Sequence, residues 1–159
     1  MTEWSVRSVR DLTWTGNRMG VYCDLLQGGD DSSEEFAINL NVLGRGQPMA
    51  LYHHEPHQEG FLVLRGECTA VADGEEVALR EWDYFHCPRD VPHVVVGASD
   101  EPALVLAVGS RVGGGRATYP PEPLAAHYGA STSETVDARA AHAEFGKSEV
   151  VPYREEFLA

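Results

Sequence analysis

The sequence predicts an all-β domain, and three observations carry that reading. Over residues 4–109 the apolar residues fall in short runs divided by turn residues, with no helical periodicity. Phe36, Ile38, Leu40 and Val42 alternate with Ala37, Asn39, Asn41 and Leu43, so one face of that segment is apolar and the other partly polar. Asp73-Gly74 divides two apolar runs, and an Asp-Gly pair suits a two-residue hairpin turn. Short strands joined by tight turns give an antiparallel sandwich or barrel.

The elements follow in order. Residues 27–33 (QGGDDSS) read as an exposed loop, and the alternating segment after it as a strand. Strands are expected at 61–64, 68–72 and 77–79, with Arg65-Gly66-Glu67 as a tight connection and Asp73-Gly74 as the hairpin turn. DYFHCP (83–88) contains another strand, and His93 heads a second apolar one. Residues 104–108 are apolar on both faces, which predicts a central strand. After Gly113-Gly114-Gly115 the composition turns to Pro and Ala, and residues 124–128 and 135–145 are expected as short helices. Ser133 or Thr135 is the expected cap of the second, with Asp137 in its first turn. The predicted organisation is a barrel over 1–112, with its core at 39–109, and a tail over 113–159. That tail is expected to pack across the barrel or onto a second subunit.

A chain of 159 residues fits one domain plus a tail. Its formal net charge of -13 repels nucleic acid and anionic membranes, leaving small molecules and proteins as partners. Cys23, Cys68 and Cys87 show no CxxC spacing, and the N-terminal segment has neither the basic start nor the apolar run of a signal peptide, so reduced thiols in a cytoplasm are expected. The longest apolar run, 103–108, falls far short of the roughly 20 residues of a membrane-spanning helix.

The chemistry concentrates in GQPMALYHHEPHQEGFLVLRG, residues 46–66, where His53, His54 and His57 stand with Glu55 and Glu59. His93 follows at the start of another strand. Imidazole nitrogen and carboxylate oxygen gathered from two strands suit a divalent transition metal. His53, Glu55, His57, Glu59 and Phe61 are all odd-numbered and share a face in an unbroken strand, although Pro56 interrupts it.

These residues resemble the cupin family. Its first motif places His-x-His and then Glu before a glycine, and Glu59 and Gly66 match that ending with six residues between them. Its second motif runs Gly, Pro, Gly, His, Asn, and here Trp82, Pro88, Asp90, His93 and Gly97 occupy those positions, with Asp83 like the acid that commonly opens it. Pro and His match; both glycines and the asparagine do not. In the first motif, a three-residue gap before Glu59 aligns His53 and Glu55 with the two histidines, and a four-residue gap aligns Tyr52 and His54. The resemblance implies a double-stranded β-helix, or jelly roll, with a ligand site in its lumen.

The site expected on this basis is a metal held by His53, Glu59 and His93, with Glu55 or His57 as a fourth ligand. Two His and a carboxylate with open positions are the set of non-haem Fe(II) oxygenases, and Mn, Ni or Zn fit it too. With the metal lost, the same groups would line a polar pocket. His54 points away if His53 points in. His86 acts as hydrogen-bond donor or general base if even positions of its strand face the lumen, and lies on the outer sheet surface otherwise. His86 and Glu55 are the spare acid–base candidates. Asn39 and Asn41 share a face that either orients a polar ligand or meets solvent. Cys68, Cys87, Tyr52, Tyr84 and Trp82 read as packing residues, and His127 and His142 as surface or packing histidines. The resemblance implies a dioxygenase, isomerase or decarboxylase acting on a small polar molecule. The competing readings are a non-catalytic binding module and a metal-free epimerase or isomerase. A homodimer is expected, and without a helix-turn-helix segment or basic patch a DNA-binding role is not.

Overall fold

The computed structural model describes residues 4–27 and 35–159, so the loop expected at 27–33 lies outside the described residues except for Gln27. The strands are β1 (Trp14–Asn17), β2 (Gly20–Asp24), β3 (Phe36–Leu43), β4 (Glu59–Arg65), β5 (Cys68–Ala72), β6 (Glu75–Leu79), β7 (Tyr84–Cys87), β8 (His93–Gly97) and β9 (Ala103–Ser110). Helices α1 (Pro123–His127) and α2 (Ala138–Ala141) and strand β10 (Glu149–Val151) complete the chain. The large sheet has the order β10-β1-β2-β3-β9-β4-β7 and the small one β6-β5-β8, with antiparallel pairing throughout. The two sheets form the jelly roll expected of the sequence. The hairpin of β5 and β6 turns at Asp73 and Gly74, whose φ angles of 48° and 77° are those the Asp-Gly pair favours.

Side-chain parity divides the interior from a second core. Phe61 and Val63 of β4, Cys87 of β7, Val95 of β8 and Val105 of β9 pack between the sheets. The opposite face of β3 and β9 presents Leu40, Val42 and Leu104 to Trp14, Cys23 and Phe157. Strand β9 is thus apolar on both faces because both are covered, as its composition predicts. On β3 the polar residues Asn39 and Asn41 face the lumen, while its apolar face is buried beneath the chain ends.

The tail differs from the purely helical expectation. Strand β10 pairs with β1 through Trp14↔Val151, and the Phe157 ring lies 5.0 Å from that of Trp14. The edge of β1 would otherwise leave its backbone groups unpaired, and returning the chain to it satisfies them. Helix α2 starts later than expected: Asp137 itself is the cap, its Oδ1 accepting from the backbone N–H groups of Arg139 and Ala140 at 2.9 and 3.2 Å. Thr135 accepts from Asp137 N–H one step earlier. Helix α1 lies on the outer face of the small sheet, where Ala125 joins Tyr52, Val71 and Val94.

The departures from the second motif become legible in the backbone. Trp82 and Asp90, which occupy its two glycine positions, have φ of 70° and 61°. The left-handed turns persist although their usual residue is gone. At Gly97, where the motif has Asn, a Cβ would collide with the carbonyl oxygens of Leu43 and Gly44. No side chain fits there.

Cys23, Cys68 and Cys87 are all free and buried. Among the described residues no helix is long and apolar enough to cross a membrane. Trp82 carries a bulky side chain at positive φ while the residue is 68% exposed, so little packing offsets the backbone strain at this position. Trp82→Gly is therefore expected to stabilise the fold by about 1 kcal/mol, read as a higher urea midpoint with unchanged slope. A lower midpoint would show that the indole packs against something the fold needs.

Candidate metal centre

Backbone pairing brings the two histidine segments together. Residues 47–53 run beside β8, with Met49 N–H donating to Val95 O at 2.9 Å. His53 and His93 form a reciprocal bridge, His53 N–H to His93 O at 3.1 Å and His93 N–H to His53 O at 2.8 Å. Glu59 opens β4 opposite Gly109 on one side and Cys87 on the other, and its carboxylate turns into the lumen. One potential ligand atom from each of His53, Glu59 and His93 lies within 4.8 Å of the others. Glu59 Oε2 is 3.1 Å from His93 Nε2 and 3.7 Å from His53 Nε2.

The other ring nitrogens fix which atom faces this point. His53 Nδ1 lies 2.6 Å from Leu51 O and His93 Nδ1 lies 3.0 Å from Val91 O. A carbonyl oxygen only accepts, so each Nδ1 carries a proton and each Nε2 is the ring atom that faces the centre. Cys87 Sγ adds a second contact at 3.0 Å from His93 Nδ1. The buried atoms Glu59 Oε2 and His93 Nε2 have no partner beyond each other, meeting in an ion pair at 3.1 Å. Two buried, unsatisfied donor atoms converging with a third imidazole fit a cation between them.

Electrostatics in the metal-free pocket follow from the same contacts. Burial and the neighbouring His93 hold His53 below the usual imidazole range. Burial pushes His93 the same way, but its contacts with Cys87 and Glu59 outweigh this and raise it to about 10. Burial opposes ionisation of Glu59, whereas His93, His53 and His57 together bring its carboxyl below the ordinary value. A proton on His93 Nε2 thus neutralises Glu59, a role that a bound metal ion would take by displacing it.

The remaining sequence candidates separate cleanly. Glu55 occupies the second-histidine position of the three-residue register and holds Oε1 3.9 Å from His53 Nε2, beside the three-atom cluster rather than in it. His57 acts on Glu59 through its charge and is not among the clustered ligands. His54 turns away, its backbone bridged to Thr118 and its Nδ1 4.0 Å from Asp90 Oδ1. His86 lies on the outer face of the large sheet, exposed and 3.2 Å from Gln58 Oε1. Pairing of Phe85 with Phe61 and Cys87 with Glu59 puts the odd positions of β7 inward, which removes His86 from the lumen. Tyr52 is core, as expected, whereas Tyr84 and Trp82 are exposed rather than packed.

The cavity at the centre has a volume of about 270 Å³. Phe61, Met49, Val95 and Ala107 give it apolar walls, and Tyr22, Asn39 and Asn41 line it away from the histidines. The sequence did not single out Tyr22; its register opposite Asn41 is what brings it in. Tyr119 of the tail was likewise missed. Its ring lies 5.9 Å from that of His53, with His142 edge-on behind it at 5.4 Å, so the tail closes the His53 side of the site.

The raised His93 value has a signed consequence for stability. Its contribution in metal-stripped protein is complete below the unfolded imidazole value of 6.5 and is lost as pH rises toward about 10. Glu59, shifted down, contributes above 4.5 and loses its contribution as pH falls through its folded value. The urea midpoint of metal-stripped protein is therefore expected to fall between pH 6.5 and 10, and to fall less in His93→Gln. Parallel profiles for the two proteins would contradict the His93–Glu59 pairing.

Residues 40–109 match the family model described as Cupin domain. Over 69 residues the chain is 33% identical to quercetin 2,3-dioxygenase of Bacillus subtilis (strain 168), a stretch covering 43% of this chain and 20% of that protein. A sugar phosphate isomerase of the cupin superfamily from Silicibacter pomeroyi superposes with a TM-score of 0.62 at 24% identity, covering 73% of this chain and 82% of that one. The polyketide cyclase RemF from Streptomyces resistomycificus gives 0.58 at 16% identity, covering 69% and 80%. At these identities the solved structures establish the fold and leave the reaction open. With both motifs inside the matched segment and the jelly roll around them, the chain carries a cupin domain at residues 40–109.

Proposed function

We propose that this protein is a metal-dependent cupin enzyme of the dioxygenase type, acting on a small enolic or phenolic molecule in the barrel lumen. The observation that carries this reading is the convergence of His53 Nε2, Glu59 Oε2 and His93 Nε2 at one end of a mainly apolar cavity. His53, Glu59 and His93 would hold the ion, with Glu55 the nearest additional carboxylate. Bound by such a set, iron, manganese, nickel or zinc polarises a substrate oxygen, and a redox-active one of these activates dioxygen.

The chain's own residues supply the rest. Phe61, Met49 and Val95 exclude bulk water and pack a flat apolar body. The Nδ1 anchors on Leu51 and Val91 hold both imidazoles in one tautomer and orientation. Glu55 is the best-placed group to accept a proton from a substrate hydroxyl at the centre, since His86 lies outside the lumen. The local similarity to quercetin 2,3-dioxygenase supports the oxygenase class over isomerase or decarboxylase.

Untagged protein purified without added metal is expected to carry on the order of one transition-metal ion per chain. Occupancy should drop at least about tenfold in His53→Ala and in His93→Ala, with the fold retained by circular dichroism. Wild-type protein without metal, whose melting temperature does not move with Mn, Fe, Ni or Zn, would contradict the reading. Oxygen uptake with phenolic and enolic substrates then separates the oxygenase from a binding module.

A further inference from the structure

The lumen has a second polar end that the metal ligands do not explain. Asn41 is only 8% exposed and lines the cavity, and among the described residues its carboxamide makes no hydrogen bond. Asn39, two residues earlier on the same face, lines the cavity as well. Tyr22 stands directly opposite Asn41 in the β2–β3 register and reaches the same space. The amide atoms of Asn41 open onto the cavity, so whatever occupies the lumen there, water or a ligand group, supplies their hydrogen bonds.

Register places this end relative to the histidines. Asn39 pairs with Ala107, which pairs with Phe61, and Glu59 lies two residues further along β4. Two strand spacings separate them laterally, roughly 10 Å, and two residues separate Asn39 from Glu59 along the strands, roughly 7 Å, whereas Asn41, paired with Val105 and so level with Val63, lies four residues along, roughly 14 Å. A molecule bound at the histidine end therefore extends toward the asparagines.

The chemistry of the lining selects what that far end can be. A carboxamide both donates and accepts, and a tyrosine hydroxyl does the same. No Arg or Lys lines the cavity among the described residues, so a carboxylate or phosphate there would be buried without a counter-charge. We infer that Asn41, assisted by Asn39 and Tyr22, reads an uncharged donor–acceptor group such as a hydroxyl, carbonyl or amide on the substrate's distal end, and that anionic substrates are excluded. This rests on the proposal that the lumen is the substrate site. It narrows the substrate to a neutral, mainly apolar molecule and argues against phosphorylated sugars.

Three catechols of one shape but different distal groups test it: 3,4-dihydroxybenzamide, 3,4-dihydroxybenzoate and 4-methylcatechol. Their affinities would be measured by calorimetry on metal-stripped and Zn-loaded protein, for wild type, Asn41→Leu and Asn41→Ala. The amide is expected to bind at least about tenfold more tightly than either analogue to wild type. Both variants should lose that preference over 4-methylcatechol while keeping wild-type zinc content and folding. Benzoate binding as tightly as the amide, a preference that survives in both variants, or no binding of any probe at millimolar concentration would overturn the inference. If only the metal proposal fails, zinc adds nothing to affinity but the amide preference remains. If only this inference fails, zinc strengthens binding and the preference is absent.

Discussion

The reciprocal backbone bridge between His53 and His93 is the constraint on which the site depends. It joins a segment that is mostly irregular, residues 47–58, to the well-formed strand β8, and so fixes where two side chains far apart in sequence emerge. The same two residues then have their Nδ1 atoms taken by nearby carbonyls of Leu51 and Val91. Backbone hydrogen bonds thus set both position and tautomer, leaving the side chains little freedom except to meet at Nε2. Glu59 arrives independently at the start of β4, held in register by β7 and β9.

Burial turns this geometry into chemistry. His93 is almost wholly buried and Glu59 partly so, and their attraction gains strength where water is displaced. Left alone they share a proton, the place a divalent cation would take in the proposed metal centre. The surrounding lumen is apolar enough to hold a flat molecule and polar at two separated ends, one ionic and one amide. The net charge of -13 does not extend inside as free carboxylates, since Glu59 is balanced at the centre and Glu55 sits beside His53.

Much of this was legible in the sequence because it obeys short-range rules. The alternation of β3, the Asp73-Gly74 turn and the two-faced apolar character of β9 each follow from local pattern, and of the odd positions that parity grouped across Pro56 the fold clusters His53 and Glu59 with His93. What was illegible depends on pairing across the chain. The side on which His86 falls is decided by the β4–β7 register, the strand at 149–151 exists only because β1 offers an edge, and Cys87 becomes a partner of His93 only through the fold. The second motif shows a different limit. Trp82 and Asp90 hide its glycine positions at the level of residue identity while preserving them in φ, so the backbone is closer to the family than the sequence is.

The central claim is that two imidazoles and one carboxylate, fixed before any ligand arrives, define a metal centre. X-ray absorption spectroscopy at the metal edge of the loaded protein tests it most directly. The expected first shell contains two imidazole nitrogens, from His53 and His93, with the remaining donors oxygen, and it loses one imidazole in His53→Ala. A shell of oxygens alone, a sulfur donor from Cys87, or a spectrum unchanged by His53→Ala would contradict it.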